Sequence, residues 1–144
     1  MEIVRSDEIF RYNLANITEV NIAEGITHVG DDVFNVCRIE GSSQTVTLTL
    51  PSTLETIGFG AFCMLGVESV QIPENVTEIK YSAFWGCKNL AEVEFKGNNL
   101  LKIGDYSFAY CTSLKMLELP EGLKTIGKGF ILGDDGIETI VFPE

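Results

Sequence analysis

The segment that most resembles a chemical site is residues 122–128, which read Gly-Leu-Lys-Thr-Ile-Gly-Lys. This spacing matches the G-x-x-x-x-G-K phosphate-binding loop. However, Gly129 follows where that motif needs the serine or threonine that binds magnesium. The segment also aligns with other copies of an internal repeat, which have glycine at the position of Gly127, namely at Gly30, Gly58 and Gly104. We therefore reject a nucleotide site and assign the segment to the repeat.

Cysteine is the second residue type that could carry chemistry. Cys37, Cys87 and Cys111 each follow a repeated phenylalanine by three residues, whereas Cys63 is out of phase with them. The sequence has no C-x-x-C pair, and the intervals between the cysteines match no zinc ribbon or finger. We expect buried free thiols that pack as small hydrophobic groups. The alternative is a disulfide between Cys87 and Cys111.

The remaining polar residues predict no reaction. His28 is the only histidine, and we expect it to be exposed between Thr27 and Val29. No serine or cysteine nucleophile can be assembled around one such residue. The pairs Asp31-Asp32 and Asp134-Asp135 lack the spacing of a calcium loop and are expected to be solvated turns. The sequence therefore predicts no catalytic residue, no metal site and no cofactor.

Charge and hydropathy limit the partners. The chain of 144 residues has 10 Lys+Arg against 21 Asp+Glu, a formal net charge of −11. Nucleic acids and anionic membranes require basic surfaces, so we expect neither as a partner. No apolar run is long enough to predict membrane insertion. The start, MEIVRSDEIF, lacks the basic region of a signal peptide. The chain is therefore expected in the cytoplasm if Met1 is the native start, or secreted or at the cell surface if a leader has been removed.

A repeat organises the whole chain. Residues 72–95, IPENVTEIKYSAFWGCKNLAEVEF, form one copy, and an aromatic or aliphatic residue recurs at its Phe84 position, at 34, 62, 108 and 131. Intervals of about 22 to 28 residues are typical of stacked repeat proteins. Each copy begins with a strand whose flanking residues are apolar and whose middle residue is predicted to face solvent. These strands are Val20-Asn21-Ile22, Leu48-Thr49-Leu50, Val70-Gln71-Ile72, Val93-Glu94-Phe95, Leu117-Glu118-Leu119 and Ile140-Val141-Phe142.

The repeat predicts a single-domain solenoid with a parallel β-strand ladder. Proline follows most of the strands and ends them. A second extended stretch and a glycine-led turn then bring a small residue and an aromatic residue, such as Ala61-Phe62, into the core. The connecting turns are predicted to be short or helical, which gives a mainly β or α/β solenoid. Residues 17–144 form about five coils, residues 1–16 form an N-terminal cap with a short helix that starts at Ser6, and residues 38–45 form an inserted loop.

The full pattern is I/L-P-x-x-h-x-x-I-G-x-x-A-F-x-x-C-x-x-L-x-x-h-x-h, where h is hydrophobic. It resembles the BspA-like leucine-rich repeat family over about residues 17–144. The resemblance implies a right-handed leucine-rich repeat solenoid with a parallel strand ladder. It also implies a role like that of the surface proteins in this family, which bind other proteins or host matrix.

We interpret the chain as a non-enzymatic protein-binding module. The outward strand residues vary while the core positions repeat, which is how a scaffold presents a recognition surface. Trp85 is added as a surface anchor, because aromatic residues are favoured in interfaces. The alternative is a structural element that forms a homodimer through an open C-terminal end, where the strand at 140–142 is expected to be an uncovered edge. The candidate binding residues are Asn21, Thr49, Gln71, Glu92, Glu94, Glu118 and Trp85.

Overall fold

A computed structural model of the protein describes residues 2–3, 16–35 and 44–144. Within these ranges the chain forms twelve short strands, and none of it is a helix that could cross a membrane. The predicted helix at Ser6, Cys37 and most of the loop at 38–45 lie outside these ranges. The strands are β1 (Glu2–Ile3), β2 (Glu19–Asn21), β3 (His28–Val29), β4 (Thr47–Thr49), β5 (Thr56–Ile57), β6 (Ser69–Ile72), β7 (Glu78–Ile79), β8 (Glu92–Phe95), β9 (Lys102–Ile103), β10 (Met116–Glu118), β11 (Thr125–Ile126) and β12 (Thr139–Val141).

The strands form two parallel ladders, so the predicted solenoid with a parallel strand ladder is confirmed. The two-residue strands form one continuous six-stranded sheet in the order β1-β3-β5-β7-β9-β11, here called the short-strand sheet. The predicted strands lie on another side, here called the long-strand face. They hydrogen-bond as three parallel pairs, β2–β4, β6–β8 and β10–β12. The ladder predicted from alternation is therefore segmented, and the continuous sheet is built from the second extended stretch of each repeat.

The third side of each coil is a hydrogen-bonded turn, and these turns stack into a turn strip made of residues 31–34, 59–64, 81–86, 105–110 and 128–133. Every second N–H of a turn donates to the next coil, as from Phe62 to the Ala83 carbonyl and from Phe84 to the Ser107 carbonyl, both at 2.8 Å. The intervening N–H groups bond within the turn, as from Trp85 to the Ser82 carbonyl at 3.0 Å. The N–H groups of the turns at 59–64, 81–86 and 105–110 are thus paired largely without a β-strand.

This alternation requires left-handed residues at two places in each turn. In the turns from residue 59 onward they lie two residues before and two residues after Phe62, Phe84, Phe108 and Ile131, and only some are glycine. Tyr106 and Tyr110 have φ values of 55° and 59°. A side chain in this conformation costs on the order of 1 kcal/mol. The hydrogen bonds between coils offset that cost.

The core is a stack of aromatic rings. Phe34, Phe62, Phe84 and Phe108 follow one another with ring centroids 5.6, 5.3 and 5.3 Å apart. This confirms the aromatic spine predicted from the repeat. The residue before each ring is small and buried in three coils, at Ala61, Ala83 and Ser107, which lets the backbones of adjacent turns approach.

The last described coil is less well covered than the others. Its inward residues Phe130, Ile131 and Ile140 are only partly buried, whereas Phe108 and Leu117 at the equivalent positions of the preceding coil have no exposed surface. Phe142, which ends the last strand, is 56% exposed. Each coil is therefore buried mainly by the coil that follows it, as expected for a repeat array.

We predict that replacing Phe84 by alanine destabilises the solenoid by about 3–5 kcal/mol, because it leaves a cavity between two stacked rings. For a domain of this size the melting temperature should fall by roughly 10 °C. Phe59→Ala is the matched control, since Phe59 is 42% exposed and stacks only on the outer Tyr81. Thermal unfolding followed by circular dichroism tests this, and equal losses for the two variants would contradict the core assignment.

Candidate functional site

An acidic groove crosses the long-strand face between β8 and β10. Its volume is about 790 Å³, and its lining includes Glu92, Glu94, Glu118 and Glu121 together with Lys115 and Met116. Within the part of the chain that the structure describes, β8 and β10 do not pair, so the groove lies where one hydrogen-bonded pair of strands ends and the next begins. The strands bring carboxylates from adjacent coils together along an open surface.

Strand alternation determines which side chains face this groove. Val93 and Leu117 are buried, so their neighbours Glu92, Glu94 and Glu118 point to solvent. Glu94 is held on both sides: it accepts a hydrogen bond from Gln71 at 3.1 Å, and it forms an ion pair with Lys96 at 2.7 Å. Both partners of that ion pair are about half exposed, so the pair orders the side chain more than it stabilises the fold.

The other candidate residues divide between two sides of the solenoid. Asn21 and Thr49 lie opposite each other on β2 and β4, on the long-strand face, and the Asn21 amide donates to Glu19. Trp85 does not join them. It belongs to the turn strip, is partly buried, and packs edge-on against Tyr110 with a centroid distance of 5.4 Å. The structure therefore groups Glu92, Glu94 and Glu118 closely, extends the face through Gln71, and separates Trp85 from it.

The buried cysteines are structural. Cys87 and Cys111 are free thiols with no exposed surface, as predicted, rather than partners in a disulfide. Each thiol lies within hydrogen-bonding distance of a phenylalanine carbonyl of the preceding coil, at 3.2 Å to Phe62 and 3.3 Å to Phe84. Burial raises the pKa of both thiols, which keeps them protonated and able to donate.

Two smaller predictions are resolved by the short-strand sheet. His28 is partly buried rather than exposed, and its Nδ1 lies 2.8 Å from the Thr27 hydroxyl, because the residue faces outward from β3 between neighbouring strands. Gly127, from the segment that resembles a phosphate loop, donates its N–H to the Ile103 carbonyl at 2.7 Å. That N–H is therefore used by the ladder between coils, as the repeat alignment predicted.

Asp134 was predicted to be a solvated turn residue, and this prediction is wrong. Its side chain is only 5% exposed, because it occupies the column of Cys87 and Cys111 and points inward. Oδ1 accepts a hydrogen bond from the Cys111 N–H at 2.8 Å, while Oδ2 has no partner among the described residues. Burial raises the pKa of Asp134 to about 7, and the nearby Asp135 adds to the shift. The residue at the column position of Cys111 is thus a carboxyl group that stays protonated to a higher pH than an ordinary aspartate.

Both the ladder geometry and the sequence match known repeat proteins. A family model described as the BspA type leucine rich repeat region matches residues 5–41 and 40–144 in six copies. The chain belongs to the BspA-type leucine-rich repeat family. Membership in this family indicates a repeat scaffold of the kind that mediates protein interactions. No curated protein matches the sequence.

Two crystal structures show the same architecture. A leucine-rich repeat protein from Bacteroides ovatus superposes with a TM-score of 0.71 and 26% identity over 88% of this chain. One from Bacteroides capillosus gives a TM-score of 0.56 and 27% identity over 61% of this chain. This chain spans 37% of the length of the first protein and 62% of the length of the second.

We predict that Asp134→Asn stabilises the protein increasingly as the pH rises from about 4 to 8. The folded-state pKa lies above the ordinary value of 3.8, so the contribution of protonated Asp134 is complete below pH 3.8 and is lost as the pH rises through about 7. Asparagine keeps an oxygen for the Cys111 N–H and cannot ionise. Chemical denaturation across this pH range measures the difference, and Glu138→Gln in the same coil serves as the exposed control. Parallel stability curves for Asp134→Asn and wild type would contradict this assignment.

Proposed function

We propose that this protein is a non-enzymatic scaffold that binds a cationic segment of another protein on its long-strand face. The observation that carries the proposal is the groove between β8 and β10, where Glu92, Glu94, Glu118 and Glu121 line one continuous surface. Lys115 is the only cationic residue among those lining it. A partner with basic side chains would meet complementary charge there.

The contrast between inward and outward positions of the long strands supports this proposal. Inward positions of the long strands keep apolar residues, as at Val70, Val93 and Leu117. The outward positions change from coil to coil, and register pairs Ser69 with Glu92 and Gln71 with Glu94. A solenoid can alter these outward residues without changing its core, which is the basis of recognition by repeat proteins.

We predict that binding of a cationic peptide, KYKSKYKS, depends on this groove and weakens as salt rises, because exposed charges are screened beyond about 10 Å at 0.1 M. Reversing two charges with Glu94→Lys/Glu118→Lys should weaken binding roughly tenfold or more. The control Glu55→Lys/Glu74→Lys makes the same net charge change at exposed positions outside the groove. Titration of the ¹⁵N-labelled protein gives both the affinity and the residues that respond. Equal weakening in the two double variants, or shifts confined to other surfaces, would contradict the proposal.

A second candidate function is assembly through the last coil into a homodimer. The observation that favours it is the partly buried layer of Phe130, Ile131 and Ile140 beside the exposed Phe142. Exposed apolar groups next to a strand edge favour association with another strand. This candidate needs no cationic partner and is independent of the acidic groove.

We predict that the protein sediments increasingly as a dimer when its concentration rises through the micromolar range. Phe142→Glu places a charge in the exposed apolar layer and should shift the protein to monomer. Glu144→Gln is a control at the neighbouring exposed position. Sedimentation velocity measures the distribution, and a wild-type protein that is monomeric at high micromolar concentration would exclude this mode of assembly.

A further inference from the structure

A second groove lies on the short-strand sheet, on a different side of the solenoid from the acidic groove. Its volume is about 440 Å³, and it crosses β7, β9 and β11 beside the turn strip. We call it the lysine–tyrosine groove and define it by Lys80, Tyr81, Lys102, Gly104, Thr125 and Gly127. None of these residues is among the candidates predicted from the sequence.

Backbone forms part of the lining of this groove, because Gly104 and Gly127 carry no side chains. A Cβ on Gly104 would lie 2.6 Å from the Tyr81 nitrogen and 2.7 Å from the Lys80 carbonyl carbon, and one on Gly127 would collide with Asp105. Neither position can carry a side chain without moving the adjacent coil. Lys80 occupies the same column, where the other described coils have glycine. It is therefore the one residue of this column that has a side chain, and it is exposed.

Charge in this groove is opposite to that of the long-strand face. Three of the seven lysines, Lys80, Lys102 and Lys128, line this groove or adjoin it, and all three are exposed. The two nearby carboxylates are already engaged: Glu78 pairs with Lys102 at 2.9 Å, and Asp105 accepts the Lys128 N–H at 3.0 Å. Lys80 forms no ion pair with any described residue. Although the chain has a net charge of −11, this surface therefore has a lysine, Lys80, that can pair with a carboxylate of a ligand.

Exposed aromatic rings border the same groove. Tyr81 is 44% exposed and stacks on Phe59 with centroids 5.2 Å apart. Its other side meets the edge of Tyr106 at 5.7 Å, and Lys128 lies 5.8 Å above the Tyr106 ring. Because the faces of Phe59 and Tyr81 cover each other, this pair presents ring edges and the Tyr81 hydroxyl to a ligand. Such edges suit apolar and aromatic side chains of a protein, and they offer little flat area for a sugar ring.

We propose that the lysine–tyrosine groove binds an acidic segment of a protein partner, with carboxylates at Lys80 and Lys102 and an apolar or aromatic neighbour against Tyr81. The unpaired cation and the aromatic border together match such a segment. Charge complementarity selects it over a basic peptide, which the long-strand face attracts. The solenoid would then carry two recognition surfaces of opposite sign on different sides.

The test is a titration of ¹⁵N-labelled protein with the acidic peptide EYESEYES at low salt. We expect saturable shifts of the Gly104 and Gly127 amides and of Lys80 and Tyr81. The variant Lys80→Gly/Lys102→Thr uses residues that other coils have at these positions, namely Gly58 and Thr125, so its fold should be retained. It should weaken binding roughly tenfold, since it removes both cations that contact carboxylates. Lys88→Thr/Lys124→Thr makes the same change in charge outside the groove, and position 88 then matches Thr112.

Several results would overturn the proposal. These are shifts that do not saturate, shifts centred on β8 and β10, or equal weakening by both double variants, which would indicate general electrostatic attraction. Binding of cellohexaose or of polyphosphate at the same amides with higher affinity than EYESEYES would assign the groove to a carbohydrate or an inorganic anion instead. Concentration-dependent shifts without peptide would assign it to a second copy of the chain. The result is independent of the acidic groove, because Glu94→Lys/Glu118→Lys should leave EYESEYES binding at Gly104 unweakened.

Discussion

The hydrogen bonds that run from coil to coil are the constraint on which the structure depends. A single coil has strands of only two to four residues and no helix of its own among the described residues, so it cannot satisfy its backbone internally. On the short-strand sheet the Gly58 and Gly104 N–H groups donate to the preceding coil, and in the turn strip Phe62 and Phe84 donate to the following one. Each coil thus depends on both neighbours. The repeated phenylalanine adds a buried ring to every interface and sets the spacing at which these bonds can form.

This arrangement separates the fold from the surface. The rings, the small residues beside them and the buried thiols are fixed by packing between coils, whereas residues that face outward contact only solvent and adjacent outward side chains. The long strands could therefore collect carboxylates at Glu92, Glu94 and Glu118 without disturbing Val93 or Leu117. Lysine could likewise enter the glycine column at Lys80. The two sides can carry opposite charges because the outward side chains do not contact the core, so their charge does not affect its packing.

The features that recur in every repeat could be predicted from the sequence, whereas the backbone structure between them largely could not. The aromatic spine and the buried cysteine column were predictable, because identical columns recur at one interval. The continuous sheet was not, since strands as short as Glu78–Ile79 leave no alternation to detect. Left-handed backbone at Tyr106 and Tyr110 contradicts residue preference and is imposed by the neighbouring coils.

The candidate site divides in the same way. Alternation correctly indicated that Glu94 and Glu118 face solvent on one side, but sequence spacing could not show that β8 and β10 leave a groove between them. Trp85 was assigned to that face because of its residue type alone, and its position in the turn strip separates it. Asp134 follows the column rule rather than the preference of aspartate for solvent, so its burial was visible only through its alignment with Cys111.

The turn strip also has an electrical polarity. In each of its turns the peptide groups that link coils point their N–H toward the C-terminal end of the solenoid and their carbonyl toward the N-terminal end, as at Phe62, Phe84 and Phe108. Peptide dipoles aligned head to tail add as they do along an α-helix, where about half an elementary charge of each sign accumulates at the ends. The strip therefore has a dipole like that of a helix, directed along the axis of the solenoid, with its positive pole at the last coil. The exposed Asp135 follows the last turn beside that pole, where a helix would favour acidic residues in its first turn.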